Sequence, residues 1–151
     1  MTTGDEAVFI DTNILVYANA AGSPLHQTAL TAIESRYSAG IELWVSRQIL
    51  REFLATLSRP QVFSNPSPPA VLVERVRFFQ ERFKVAEDNY QVTERLLVLM
   101  EKIPMGGRQV HDANIVATMQ ANGINQLLIH NADDFKRFSH LITVLPLRAS
   151  E

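Results

Sequence analysis

Four apolar residues, Ala7-Val8-Phe9-Ile10, stop abruptly at Asp11. The run is too short for a helix, and continuous apolarity suits a strand buried on both faces. A sheet covered on both faces needs helices around it, which leaves few architectures open. The rest of the chain repeats the pattern. Candidate strands at Ile41–Val45, Lys84–Ala86, Gln126–Ile129 and Leu141–Leu145 alternate with segments of helical spacing. Ile14–Ala18 reads as a short helix. Ser23 is the expected N-cap and Pro24 the first residue of a helix running to about Ala39 and stopping at Gly40. Ser46 caps a helix whose apolar positions are Ile49, Leu50, Phe53, Leu54 and Leu57, and Arg59-Pro60 ends it. Further helices are expected at Ala70–Phe83, Tyr90–Lys102 and Val110–Gln120, with a short one at Ala132–Phe138. Alternation of this kind predicts an α/β fold with a mostly parallel sheet. The Ser- and Pro-rich stretch Ser64–Pro69 is short and has similar composition on both sides, so residues 1–151 are read as a single domain.

The chain has no cysteine, which excludes disulfides, thiolate metal sites and cysteine nucleophiles. No stretch approaches the roughly 20 apolar residues that span a bilayer. Met1–Glu6 is polar and acidic, unlike a signal peptide. The expected location is the cytoplasm, with no membrane partner. Net charge is −2, but it is unevenly spread. Between Ser46 and Lys84 seven basic residues face three acidic ones, and the remainder is correspondingly acidic. Such a chain can hold an anionic polymer and still gather carboxylates at one point.

In parallel α/β sheets, ligands sit beyond the carboxyl ends of the strands, where strand order switches. Residues that follow strands or begin helices are therefore the candidates. Asp11 follows the first strand. Glu52 lies among apolar residues of a helix that must face the sheet. Asp112 begins a nearly apolar helix. Asn131, Asp133 and Asp134 follow the Gln126–Ile129 strand. Each has an ordinary explanation. Asp11 and Asn131 suit helix caps, Glu52 could pair with an arginine, and Asp112 suits the positive end of a helix dipole. As a set they say more, because clustered carboxylates repel one another unless a cation compensates. An all-oxygen donor set suits Mg²⁺ or Mn²⁺, ions that activate water and neutralise charge on phosphate oxygens. No Gly-rich phosphate loop is present, which argues against a mononucleotide-binding ATPase.

The ordered elements Phe9-Ile10-Asp11-Thr12-Asn13, Arg51-Glu52-Phe53, His111-Asp112-Ala113 and Asn131-Ala132-Asp133-Asp134-Phe135 resemble the PIN-domain family, in particular toxins of VapBC-type toxin–antitoxin modules. The resemblance implies a three-layer fold, with a four- to five-stranded, mostly parallel sheet and helices on both faces. It implies Mg²⁺- or Mn²⁺-dependent endoribonuclease activity, a cognate antitoxin and a homodimer. Residue by residue, Asp11, Glu52 and Asp112 match the three core acids. Asp134 matches the fourth, with Asp133 as its competitor. Asn131 matches a polar position of the motif, and Thr12 and Asn13 are expected to orient Asp11 or a metal-bound water. Many relatives carry Thr or Ser two residues before the matched Asn; here that position is Ile129. Arg47, Arg51, Arg59 and Arg108 are candidate phosphate contacts, whereas His111 and His130 are expected in surface or structural roles. Two alternatives compete. A phosphatase with Asp11 as nucleophile needs a second aspartate where Asn13 stands. A PIN-like scaffold would bind RNA or a protein without cleaving.

Overall fold

The computed structural model describes residues 6–148, so the expectation for Met1–Glu6 falls almost wholly outside the described residues. Strands β1 (Val8–Ile10), β2 (Leu43–Ser46), β3 (Lys84–Ala86), β4 (Gln126–Ile129) and β5 (Thr143–Pro146) form one sheet in the order β3-β2-β1-β4-β5. Every neighbouring pair is parallel. The helices are α1 (Thr12–Ala18), α2 (His26–Ser38), α3 (Arg47–Leu57), α4 (Pro69–Arg82), α5 (Tyr90–Lys102) and α6 (Gln109–Ala121), with a 3₁₀ helix at Ala132–Phe138. Helices α1 to α4 pack on one another as one group and α5 with α6 as a second. Right-handed crossovers between parallel strands, running one way from β1 to β3 and back to β4, place the two groups on opposite faces of the sheet.

β1 is central and buried along its whole length, which explains its uninterrupted apolar run. Ser46 ends β2 and caps α3, its hydroxyl accepting from the Ile49 amide at 3.2 Å. Several boundaries differ from the sequence reading, and Ile41 and Glu42 lie before β2, which begins to pair with β1 only at Leu43. The Ser23 hydroxyl does accept from the Leu25 amide, and its carbonyl from the His26 amide, but these bonds close a turn and regular helix starts only at His26. Leu141 and Ile142 are not strand. Both amides return to the Phe138 carbonyl, and pairing with β4 begins at Thr143.

The strand order places the site. Connections from β1 lead to β2 and β3 on one side, while β4 and β5 lie on the other. The switch therefore falls between β1 and β4, the place beyond whose strand ends sheets of this kind bind ligands. The Asp11 amide donates to the Leu128 carbonyl at 3.0 Å, so the residue after β1 is tied directly to β4. Among the described residues, no helix is long and apolar enough to cross a membrane.

Candidate active site

Asp11 stands at this switch point and is only 8% exposed. It occupies the N-cap position of α1, with the Asn13 and Thr12 amides turned toward its carboxyl. Its carboxyl is pushed up to about 7. Burial is the main cause, followed by the charge of Glu52; the amides of Asn13 and Thr12 oppose the shift, and Asp112 adds to it. The charge of Asp11 also reaches Tyr17, whose hydroxyl is raised by burial first and by Asp11 second.

Glu52, half-buried on α3, is held at both oxygens. Thr12 Oγ1 donates to Oε1 at 2.6 Å, and Gln48 Nε2 donates to Oε2 at 3.1 Å. Gln48 is itself buried, at 6% exposure. Its amide nitrogen also donates to the His111 carbonyl at 3.0 Å, and its oxygen accepts from Asn114 Nδ2 at 2.8 Å. One amide thus links α3 to α6 with its donors and its acceptor in use. The Thr12 hydroxyl serves Glu52, while the side chain of Asn13 is exposed.

Asp112, in the first turn of α6, is half-buried and raised to about 6. Burial leads, Asp134 and Glu52 add to it, and Arg108 and Arg137 oppose it. Asp112 shares an open cleft of about 450 Å³ with Asp133, Asp134, Arg108 and Arg137. Asp133 and Asp134 are both exposed in the first turn of the 3₁₀ helix, but it is Asp134 whose charge acts on Asp112. Asn131 is exposed at the N-cap position of that helix and makes no side-chain capping bond. Ile129 faces the core, and His130 faces solvent.

The arginines divide. Arg108 lines the acidic cleft. Arg47 is held by Glu87, at 2.9 and 3.0 Å, and by Gln80 at 2.7 Å. Arg51 lies 3.8 Å from Asp88, and Arg59 donates to the Ala55 carbonyl.

The model of the PIN domain matches residues 8–141. The chain belongs to the PIN-domain family. Ribonuclease VapC48 of Mycobacterium tuberculosis is 31% identical over 134 residues, which cover 85% of this chain and 89% of the relative. Among solved structures, VapC20 of M. tuberculosis, described as a Sarcin-Ricin loop cleaving toxin, superposes with a TM-score of 0.66 at 19% identity, covering 93% of this chain and 100% of that one. A DNA-bound VapBC of Salmonella typhimurium gives 0.65 at 16% identity, covering 94% and 98%. At such identities the structures speak to the fold.

In this PIN domain the acids run from a buried end, Asp11 and Glu52, through Asp112 to Asp134 at the mouth. Among the described residues, no three acid or histidine side chains lie close enough to grip one ion together as they stand. The donor set nonetheless fits a hard divalent cation. It is all oxygen, its members raise one another's proton affinity, and Mg²⁺ is commonly held by one or two carboxylates with water completing its shell. Sequence reasoning missed Gln48, Asn114 and Arg137. Gln48 stands four residues before Glu52 on one helix face, which was a signal. Nothing local pairs it with Asn114, because that contact is made by the packing of α3 against α6.

Proposed function

We propose that this PIN domain is a Mg²⁺- or Mn²⁺-dependent endoribonuclease that acts as the toxin of a toxin–antitoxin pair. The observation that carries the reading is the set of four acids at the β1/β4 switch point, two of them with strongly raised proton affinity and one locked by Thr12 and Gln48. Perturbed carboxylates of this kind cluster at functional sites. A non-catalytic scaffold has no use for a repelling acid cluster that lowers its stability. The ribonuclease name of the curated relatives and the toxin descriptions of the structural neighbours point the same way.

Asp11, Glu52, Asp112 and Asp134 are the carboxylates that would hold the ion. When bound, it would activate water and neutralise the charge developing on the phosphate. The chain's own groups do the rest. Thr12 and Gln48 fix the Glu52 carboxylate, so its orientation is set before substrate arrives. Asp11 and Asp112 bind protons more tightly than free carboxylates while no cation is present, so loading the site would release protons and leave both in the charged, ligating form. Arg108 and Arg137, on the open side, are suited to phosphate oxygens of the RNA backbone. A small antitoxin protein and a second copy of this chain are the proposed protein partners.

The test is cleavage of a broad RNA panel by purified protein with Mg²⁺ or Mn²⁺. The expected result is cleavage that EDTA stops. Folded protein that cleaves nothing, and whose Asp11 cluster takes up no Mn²⁺ in calorimetry, would overturn the reading in favour of a scaffold.

A further inference from the structure

Beside the acids stands a group of rings that the chemistry above does not use. His130 follows β4 and is exposed. Its ring meets Tyr17 edge-on, with centroids 5.5 Å apart and planes at 86°. Tyr17, on α1, meets Phe63 in the same manner at 6.0 Å and 69°. Both Tyr17 and Phe63 are half-buried. The three residues come from three separate segments, so the fold alone gathers them. They also lie next to the chemistry. β1 and β4 are register neighbours, with Ile10 opposite Leu128, so Asp11 and His130 emerge from adjacent strands at the same edge.

The group is held firmly from behind. The Tyr17 carbonyl is bonded to His26 Nδ1 at 3.0 Å. The loop bearing Phe63 is closed by paired Gln61 and Ser64, and it presses on Gly22 so closely that a Cβ there would collide with the Phe63 carbonyl oxygen. An aromatic cluster serving only the core would be buried; this one keeps an exposed ring beside a site proposed to act on phosphodiesters.

We propose that His130, backed by Tyr17 and Phe63, is a stacking wall for an unpaired nucleobase of the RNA next to the scissile phosphate. Recognition of single-stranded RNA relies on this kind of stacking, which tolerates any base because every base has a π-face. The wall thus selects for unstacked RNA and sets the distance between a bound base and Asp11. The proposal rests on the ribonuclease reading, but the two fail separately.

The probe is a short oligoadenylate carrying 2-aminopurine, mixed with the full chain in EDTA so that binding is read without cleavage. Stacking quenches the fluorophore. Wild type is expected to bind and quench. His130→Ala is expected to weaken binding about tenfold and lose most of the quench, and His130→Phe to restore both. In cleavage assays with Mg²⁺, His130→Ala is expected to raise KM about tenfold with kcat nearly unchanged. His130 is exposed, so the variant should melt as wild type does, and Tyr17→Leu is needed only as a second arm. His130→Ala protein that binds, quenches and cleaves like wild type overturns the wall and leaves the ribonuclease intact. Quenching by a wild type that never cleaves keeps the wall and removes the ribonuclease. A wild type that neither binds nor quenches overturns the wall.

Discussion

The two ends of the acidic site are built differently. At the β1 end, Asp11 is buried and Glu52 is clasped through both oxygens by Thr12 and Gln48. At the α6 end, half-buried Asp112 and exposed Asp134 share an open cleft with Arg108 and Arg137, whose charges oppose the rise at Asp112. The first end is preorganised by packing and direct hydrogen bonds, so its geometry is fixed at the cost of concentrating charge where water is scarce. The second is screened and adaptable. A substitution at the closed end should therefore disturb function, stability or both, whereas one at the open end should tune affinity.

The hardest test of that contrast is Asp11→Asn. Cleavage of RNA should fall by more than the roughly hundredfold typical of losing a partner that merely supports a metal ligand. The same change should stabilise the metal-free protein at neutral pH. The carboxyl of Asp11 is raised from 3.8 to about 7 in the folded chain. Its contribution to stability is therefore intact below about pH 4 and is lost as pH rises to about 7, amounting to a few kcal/mol. Urea midpoints measured in EDTA should fall over that window for wild type and fall less for the variant, in which Asp112, raised to about 6, still titrates. A flat wild-type profile would mean that the closed end is wetter than its geometry indicates.

Gln48→Ala should come next, with a roughly 10–100-fold loss of activity and about 1–3 kcal/mol of stability, because Glu52 and Asn114 each lose a partner. Denaturant titration beside kinetics checks both. At the open end, Asp134→Asn should weaken Mn²⁺ binding in calorimetry by more than Asp133→Asn does, since Asp134 is the one whose charge is felt at Asp112. Equal effects would remove the distinction between them. The smallest effect expected is for Arg108→Ala, which should lower the salt dependence of RNA binding by about one unit of slope.

Local chemistry made much of this legible in advance. The β1 run, the Ser46 cap and the strand-then-acid pattern at Asp11 depend on neighbouring residues, and the structure bears out the first two as read. The placement of Asp11 at a strand end follows from parallel topology alone. What the sequence could not disclose depends on distant partners. The Thr12 hydroxyl might have turned to Asp11, beside it; it bonds Glu52 because α3 packs against α1. Gln48 reads as an ordinary helix residue until α6 brings the His111 carbonyl and Asn114 to it. Arg47 and Arg51 look free in sequence and are engaged by Glu87 and Asp88, at the end of the neighbouring strand β3. His130 gains significance only because Tyr17 lies across from it.

The pairing of β1 with β4 has a consequence for how such a chain is made. Asp11 is synthesised early, but the Leu128 carbonyl that anchors its amide belongs to a strand that emerges much later. Closing so long a loop is slow and must precede that anchor. A growing polypeptide therefore carries Asp11, and then Glu52, before the strand that anchors the first of them exists. The anchor of Asp11 is complete only after β4 has joined the sheet. The delay between making Asp11 and seating it beside its partner strand is written into the strand order.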